Sequence, residues 1–133
     1  MCRAARHEIW SRQVNRESRL RDTYEAFNAR DIPRVLEQMI EDVDWPNGWE
    51  GGRVVGHAAV RDYWSRQWAA IDSHVEPRRL ATLADGRVEV EVRQLVRALD
   101  GTTLSDGIVT HVYAFRGELI ARMDILPSGN ISV

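Results

Sequence analysis

Apolar residues in the first third of the chain recur at helical spacing. Leu20, Tyr24 and Phe27 fall at i, i+4 and i+7 with charged residues between them, which predicts an amphipathic helix over about 16–30. Residues 7–15, with Ile9, Trp10 and Val14, either lengthen that helix or form a loose tail. Asp31-Ile32-Pro33 sets a capping residue ahead of a first-turn proline, so a second short helix is expected over about 33–40, with Val35, Leu36, Met39 and Ile40 apolar. Residues 41–48 read as a short strand closed by the Pro46-Asn47-Gly48 turn, and Val54-Val55 as a briefer one. Beyond Gly56-His57, Val60, Trp64 and Trp68 repeat every four residues and predict a third helix over about 58–70.

After Ser73 the period changes from 3.6 to 2. A strand is expected over 74–84, with Pro77 marking an edge or a bulge, then a turn at Asp85-Gly86. Over 87–99, Val88, Val90, Val92, Gln94 and Val96 share one face against Glu89, Glu91, Arg93 and Arg97, while Leu95 and Leu99 break the pattern. Asp100-Gly101 ends that strand, 104–115 forms the next, and Arg116-Gly117 turns into a last strand over 118–126. Helices grouped ahead of a curled antiparallel sheet make an α+β domain, with the aromatic helix face packed into the concave side. The 133 residues suffice for one domain: an extension over 1–15, the folded body over 16–126 and a tail over 127–133.

Composition narrows the chemistry. All 18 basic residues are arginine, which fits the codon usage of a GC-rich bacterial genome. Without lysine there is no Schiff-base amine, pyridoxal anchor or Walker-type phosphate lysine. Cys2 is the single cysteine, so disulfide frameworks, thiolate zinc sites and iron–sulfur clusters are excluded. A net charge of −2 with dispersed arginines gives no nucleic-acid footprint. No apolar run approaches the roughly 20 residues of a membrane span, and residues 1–10 lack the apolar core of a signal peptide, so a cytoplasmic protein is expected. No histidine pair has metal-ligand spacing, no Gly-x-Gly-x-x-Gly follows a strand and no serine sits in Gly-x-Ser-x-Gly, so neither metal nor cofactor is expected. Carboxylates, imidazoles, phenols and guanidiniums remain.

The last hairpin gathers such groups. With Arg116-Gly117 as a two-residue loop, Tyr113 stands opposite Ile120 and His111 opposite Arg122, with Asp124 diagonal to His111. His111, Tyr113, Arg122 and Asp124 then share a face; a three-residue loop reverses that parity. Periodicity leaves open which face is inside, because Ile108, Val112, Leu119, Met123 and Ile125 on the other side suit either a core or a dimer interface. The trio reads as an acid–base site or, equally, as an ion pair that fixes strand register.

Four stretches resemble the nuclear transport factor 2-like superfamily, in its SnoaL-like polyketide cyclase and ketosteroid isomerase branch. They are Tyr24-Glu25-Ala26-Phe27-Asn28-Ala29-Arg30-Asp31; Asp42-Val43-Asp44-Trp45-Pro46; Val54-Val55-Gly56-His57 through Tyr63-Trp64; and the hairpin from His111 to Ile120. Their order spans about 17–126. The resemblance implies a cone-shaped sheet around a pocket, closed by about three helices, and a homodimer formed through the sheet. It places His111 where ketosteroid isomerases hold a pocket acid against the substrate oxyanion. It places Asp124 where limonene-epoxide hydrolase-like members carry a catalytic aspartate. The chain also departs from the pattern. Trp45, not an acid, precedes Pro46, and Asp44 points away unless a bulge turns it inward. Tyr24 lies one residue late on its helix.

The resulting expectation is a cofactor-independent isomerase, cyclase, dehydratase or epoxide hydrolase acting on a small apolar or cyclic substrate. Asp124 would be its acid or base, with His111 and Arg122 as electrostatic partners. Tyr24, Trp45, Trp64, Trp68, Tyr113 and Asp44 would contact substrate, and Trp49 would cover the mouth from its glycine-rich loop. Gln94, alone among valines, is either a pocket donor or a group meeting water at the sheet edge. The alternatives are a non-catalytic ligand-binding or accessory protein with the same pocket, and a structural protein whose pocket is vestigial.

Overall fold

The computed structural model describes residues 2–127, with side chains placed for 15–126. Helix α1 runs unbroken from Cys2 to Asn28, so the expected extension is its first half. It ends in a turn that needs a left-handed residue, and Arg30 supplies it at φ 62°. The Asp31 amide donates to the Ala26 carbonyl across that turn, the pattern of a Schellman cap. Glycine usually fills such a site. Here the arginine side chain offsets the backbone strain: it lies 4.8 Å over the Trp68 ring and pairs with Asp72 at 2.5 Å.

Asp31 then caps α2 (Ile32–Leu36) through its carboxylate, which accepts from the Arg34 amide at 3.3 Å. The helix is shorter than its apolar pattern predicts, and Met39 and Ile40 belong to strand β1 (Met39–Pro46). A ladder partner decides this, because the Ile120 amide donates to the Gln38 carbonyl at 2.9 Å and draws the chain into the sheet. After β2 (Arg53–Val55) and α3 (His57–Ala70) come β3 (Ile71–Thr82), β4 (Val88–Ala98), β5 (Thr103–Arg116) and β6 (Leu119–Pro127). Pro127 therefore closes the last strand, and the rest of the expected tail, 128–133, lies outside the described residues.

The six strands form one curved, unclosed sheet in the order β2-β1-β6-β5-β4-β3. It is mixed rather than wholly antiparallel, since β1 runs parallel to β6. The valine face of β4 is the inner one: Val88, Val90 and Val92 are fully buried. They meet Leu20 and Tyr24 of α1 and Val60 and Trp64 of α3 in a single apolar core. Asn28 docks α1 onto the free edge of β3 by a reciprocal pair. Its amide donates to the Val75 carbonyl at 2.7 Å and its oxygen accepts from the Val75 amide at 3.0 Å.

The register of β5 and β6 differs from the expected one. Arg116 pairs with Leu119, so the turn is Gly117-Glu118, with Gly117 at a positive φ of 63°. Near the turn the parity is as expected, with Phe115 opposite Ile120. Then Ala114 pairs with Arg122, which leaves Ala121 as an extra residue in β6. That bulge reverses the faces of every later residue in the strand.

Candidate functional site

A cavity of about 60 Å³ lies between the inner face of the sheet and helices α1 and α3. Aromatic rings make most of its wall. Trp64 of α3 meets Trp45 of β1 edge-on at 5.5 Å between centroids, and Phe27 of α1 also at 5.5 Å. Tyr113 of β5 lies 6.1 Å from Trp45. Such edge-to-face pairs are the preferred packing of aromatic quadrupoles and hold the rings at fixed angles. Val35, Pro46, Val75, Met123 and Ile125 complete the apolar lining.

Into this wall project three polar side chains that bond to one another. The Tyr113 hydroxyl donates to the Tyr24 oxygen at 2.8 Å, and that oxygen lies 2.8 Å from His111 Nδ1. A phenol has one proton, and the Tyr24 oxygen already accepts one from Tyr113. Its own proton can then go to Nδ1, and in that arrangement His111 carries its hydrogen on Nε2. Burial lowers the His111 pKa from its ordinary value to about 4. Burial likewise raises both phenols above their usual range, for Tyr24 with a further push from neighbouring Tyr113. All three groups are neutral at pH 7. Nε2–H of His111 has no hydrogen-bond partner among the described residues, which leaves it as the chain's outward donor.

Around the rest of the cavity the polar groups are Thr23, Tyr63, Gln67, Ser73 and Gln94. Gln67 donates to the Tyr63 hydroxyl at 3.2 Å. Burial raises the Tyr63 pKa, opposed by bonds from the Trp49 and Gly48 backbone, which tie the 47–52 turn to α3. None of the lining side chains carries a formal charge at neutral pH.

The structure thus brings together Tyr24, Trp45, Trp64, His111 and Tyr113 at one cavity. It separates the other expected residues from them. Trp68 sits one layer behind, stacked on Trp64 at 5.9 Å and packed on Phe27 at 5.1 Å. Trp49 is 41% exposed on the turn and does not line the cavity.

Asp124 and Arg122 do not share a face with His111. Beyond the Ala121 bulge, His111 pairs with Ile125 and Tyr113 with Met123, so Arg122 and Asp124 project from the outer face. There Arg122 grips Asp124 with two bonds of 2.9 and 3.0 Å, and reaches Asp44 at 2.9 Å. Arg53 closes the ring, to Asp44 at 2.5 Å and to Asp124 at 3.2 Å. Asp44 therefore also points outward, as its period-2 position implies. The Arg122 hydrogen bonds hold the Asp124 carboxyl below its ordinary range, which keeps it ionised. Two arginines and two aspartates balance each other and join β2, β1 and β6, which is the register-fixing reading of these residues.

Three lining residues carried weaker signals in the sequence. Met123 and Ile125 follow from the bulge, which no glycine or proline marks. Ser73 lies two residues before buried Val75 and so shares its inner face. Among the described residues no three histidine, cysteine or acidic side chains gather as a metal site, and no helix is long and apolar enough to cross a membrane.

Residues 20–123 match the family profile described as SnoaL-like domain. No curated protein sequence matches the chain. Among solved structures, TerC co-crystallised with polyporic acid is similar at 26% identity and TM-score 0.75, over 89% of this chain and 95% of that one. A putative polyketide cyclase from Xanthomonas campestris pv. campestris is similar at 20% identity and TM-score 0.76, over 92% and 96% of the two chains. A Mycobacterium tuberculosis protein in complex with estradiol-17beta-hemisuccinate is similar at 17% identity and TM-score 0.73, over 87% and 95%.

Proposed function

Because this chain belongs to the SnoaL-like domain family, we propose that its cavity takes up a neutral, flat, largely apolar molecule bearing an oxygen that accepts from His111. The observation that carries this is the absence of formal charge among the lining side chains, beside one neutral N–H donor. An ionised carboxylate buried there without a cation loses several kcal/mol of hydration with nothing to replace it. Aromatic walls set at fixed angles favour a ring over a flexible chain. Solved structures of the same fold hold polyporic acid in one case and an estradiol hemisuccinate in another, which supports a ring-shaped occupant. The preference for a neutral one comes from this chain's own lining.

The cavity volume of about 60 Å³ accommodates a few waters, and a ring-sized ligand must spread the aromatic side chains apart. Binding is therefore visible as a change in tryptophan emission. Titration with 2-naphthol should give saturable binding, and 2-naphthoate, the same ring with a charge, should bind at least about tenfold more weakly. His111→Leu should weaken 2-naphthol by about five- to tenfold, one hydrogen bond's worth. Equal or tighter binding of the naphthoate would overturn the proposal.

The Tyr113–Tyr24–His111 chain favours a second reading, turnover of the bound molecule. A carbonyl or epoxide oxygen accepting from Nε2–H is polarised, and the two phenols behind it stabilise the charge that develops on it. Isomerisation, cyclisation, dehydration or epoxide opening would then proceed by hydrogen-bond donation to the substrate oxygen, with the proton lost from carbon or from the attacking water passing to solvent water, since no carboxylate lines the cavity. Solvent-deuterium exchange into a bound cyclic ketone, followed by NMR and lost in Tyr24→Phe, is the measurement that separates catalysis from binding alone. The family resemblance further supports a homodimer through the outer sheet face, where Leu126 is 48% exposed beside the arginine–aspartate ring; light scattering on the purified chain tests it.

A further inference from the structure

The polar chain at His111 is not the only hydrogen-bonding group of the cavity. Ser73 lines it, is 2% exposed, and its Oγ has no hydrogen-bond partner among the described residues. A buried hydroxyl left unpaired destabilises the fold, and every other hydroxyl on this cavity wall is bonded, Thr23 to the Arg19 carbonyl and the tyrosines as described. Ser73 pairs with Val96 while Val75 pairs with Gln94, so Ser73 and Gln94 are diagonal neighbours on the inner face. The Gln94 carboxamide also lines the cavity and has no partner among the described residues. One hydroxyl and one carboxamide, side by side and unspent, can donate to and accept from the same ligand oxygen.

This pair is remote from His111. His111 stands opposite Val90, and Gln94 lies four residues further along β4, a backbone separation of roughly 13 Å. Since both ends project from the same inner face, ligand oxygens held at them stand several ångström apart. Two fused six-membered rings span such a distance, and Phe27, Trp45 and Trp64 are among the rings that line the cavity.

Building on the binding reading above, we infer that Ser73 and Gln94 form a second hydrogen-bonding end of the cavity, and that the ligand class is a flat fused-ring molecule with an oxygen at each end. The two residues set which ring molecules are accepted, while His111 anchors the first oxygen.

Calorimetric titration with 2-naphthol and 2,6-dihydroxynaphthalene tests this. The wild-type chain should bind the diol about tenfold more tightly than the mono-ol. Ser73→Ala and Gln94→Leu should each remove most of that preference, weakening the diol by severalfold more than they weaken 2-naphthol. Equal affinity of the wild type for the two probes overturns the second end while the binding reading stands. Failure of both probes to bind overturns the binding reading itself. Thermal melting supplies an independent check. Ser73→Ala deletes an unpaired hydroxyl and should leave the melting temperature unchanged or raised, whereas a fall of several degrees would show that Ser73 holds the fold rather than a ligand.

Discussion

At the scale of single residues, the burial of His111 governs how the fold responds to acid. His111 titrates at about 4 in the folded chain because burial penalises the imidazolium, against about 6.5 when unfolded. The unfolded chain therefore binds more protons between those values, and stability must rise with pH across that window. Above pH 6.5 the contribution is fully present; it is lost progressively as the pH falls toward 4. The shift is worth about 3 kcal/mol in total. Urea midpoints measured at pH 7 and pH 4.5 should differ markedly for wild type and much less for His111→Leu; parallel losses in both would place the acid sensitivity elsewhere. Periodicity left open which face of its strand His111 occupies, and only the family resemblance placed it in the pocket. Its partner was less legible still. Tyr24 lies one residue later than the family's helical tyrosine, about 100° around the helix, yet its hydroxyl still reaches Nδ1 at 2.8 Å. A long side chain absorbs a rotation that a short one would not.

At the scale of elements, two local devices position the site, and neither follows from periodicity. The Ala121 bulge divides β6 into a half whose parity is as expected and a half whose faces are exchanged. Sequence arithmetic carries register from a turn outward and has no means of seeing an inserted residue. One alanine thus moves Asp124 from the candidate site to the outer ring of ion pairs. Asp124→Asn should change stability by no more than about 1 kcal/mol, because the carboxylate is about a third exposed and solvent screens the pairing. It should leave 2-naphthol binding unaltered; a loss of binding or turnover would restore Asp124 to the mechanism. The second device is the clamp of α1 on β3. Asn28 supplies two hydrogen bonds to an edge-strand residue that has no ladder partner on that side. Asn28→Ala should cost about 1–3 kcal/mol, read as a lowered melting temperature, and should loosen the wall formed by Phe27 and Val75. The Asn-Ala-Arg-Asp stretch was visible as a family motif, but its physical content lies in that clamp and in the left-handed turn at Arg30.

At the scale of the molecule, the cone is a core and a pocket at once, and the same rings serve both. The alternating valines of β4 and the four-residue repeat of α3 made the inner faces legible, and with them the α+β architecture. How much space those faces would leave was not legible, because volume depends on where three helices come to rest on the sheet. About 60 Å³ is left, with Trp45, Trp64 and Tyr113 among the rings around it. This predicts a trade between stability and capacity that one substitution exposes. Trp45 is 7% exposed, lines the cavity and lies on an inner strand of the sheet. Trp45→Ala should destabilise the free protein by about 3–5 kcal/mol, through lost burial and the void left behind. The void joins the existing cavity, so the variant should gain room for a ring without having to part its walls. Added 2-naphthol should then raise the melting temperature of Trp45→Ala by more than it raises that of wild type, because ligand binding to the folded state alone adds RT ln(1 + [L]/Kd). Melting curves of both proteins, with and without a fixed excess of ligand, make the comparison. A larger ligand-induced shift in wild type would mean that Trp45 is a contact surface the ligand needs, and that the cone opens by moving other residues.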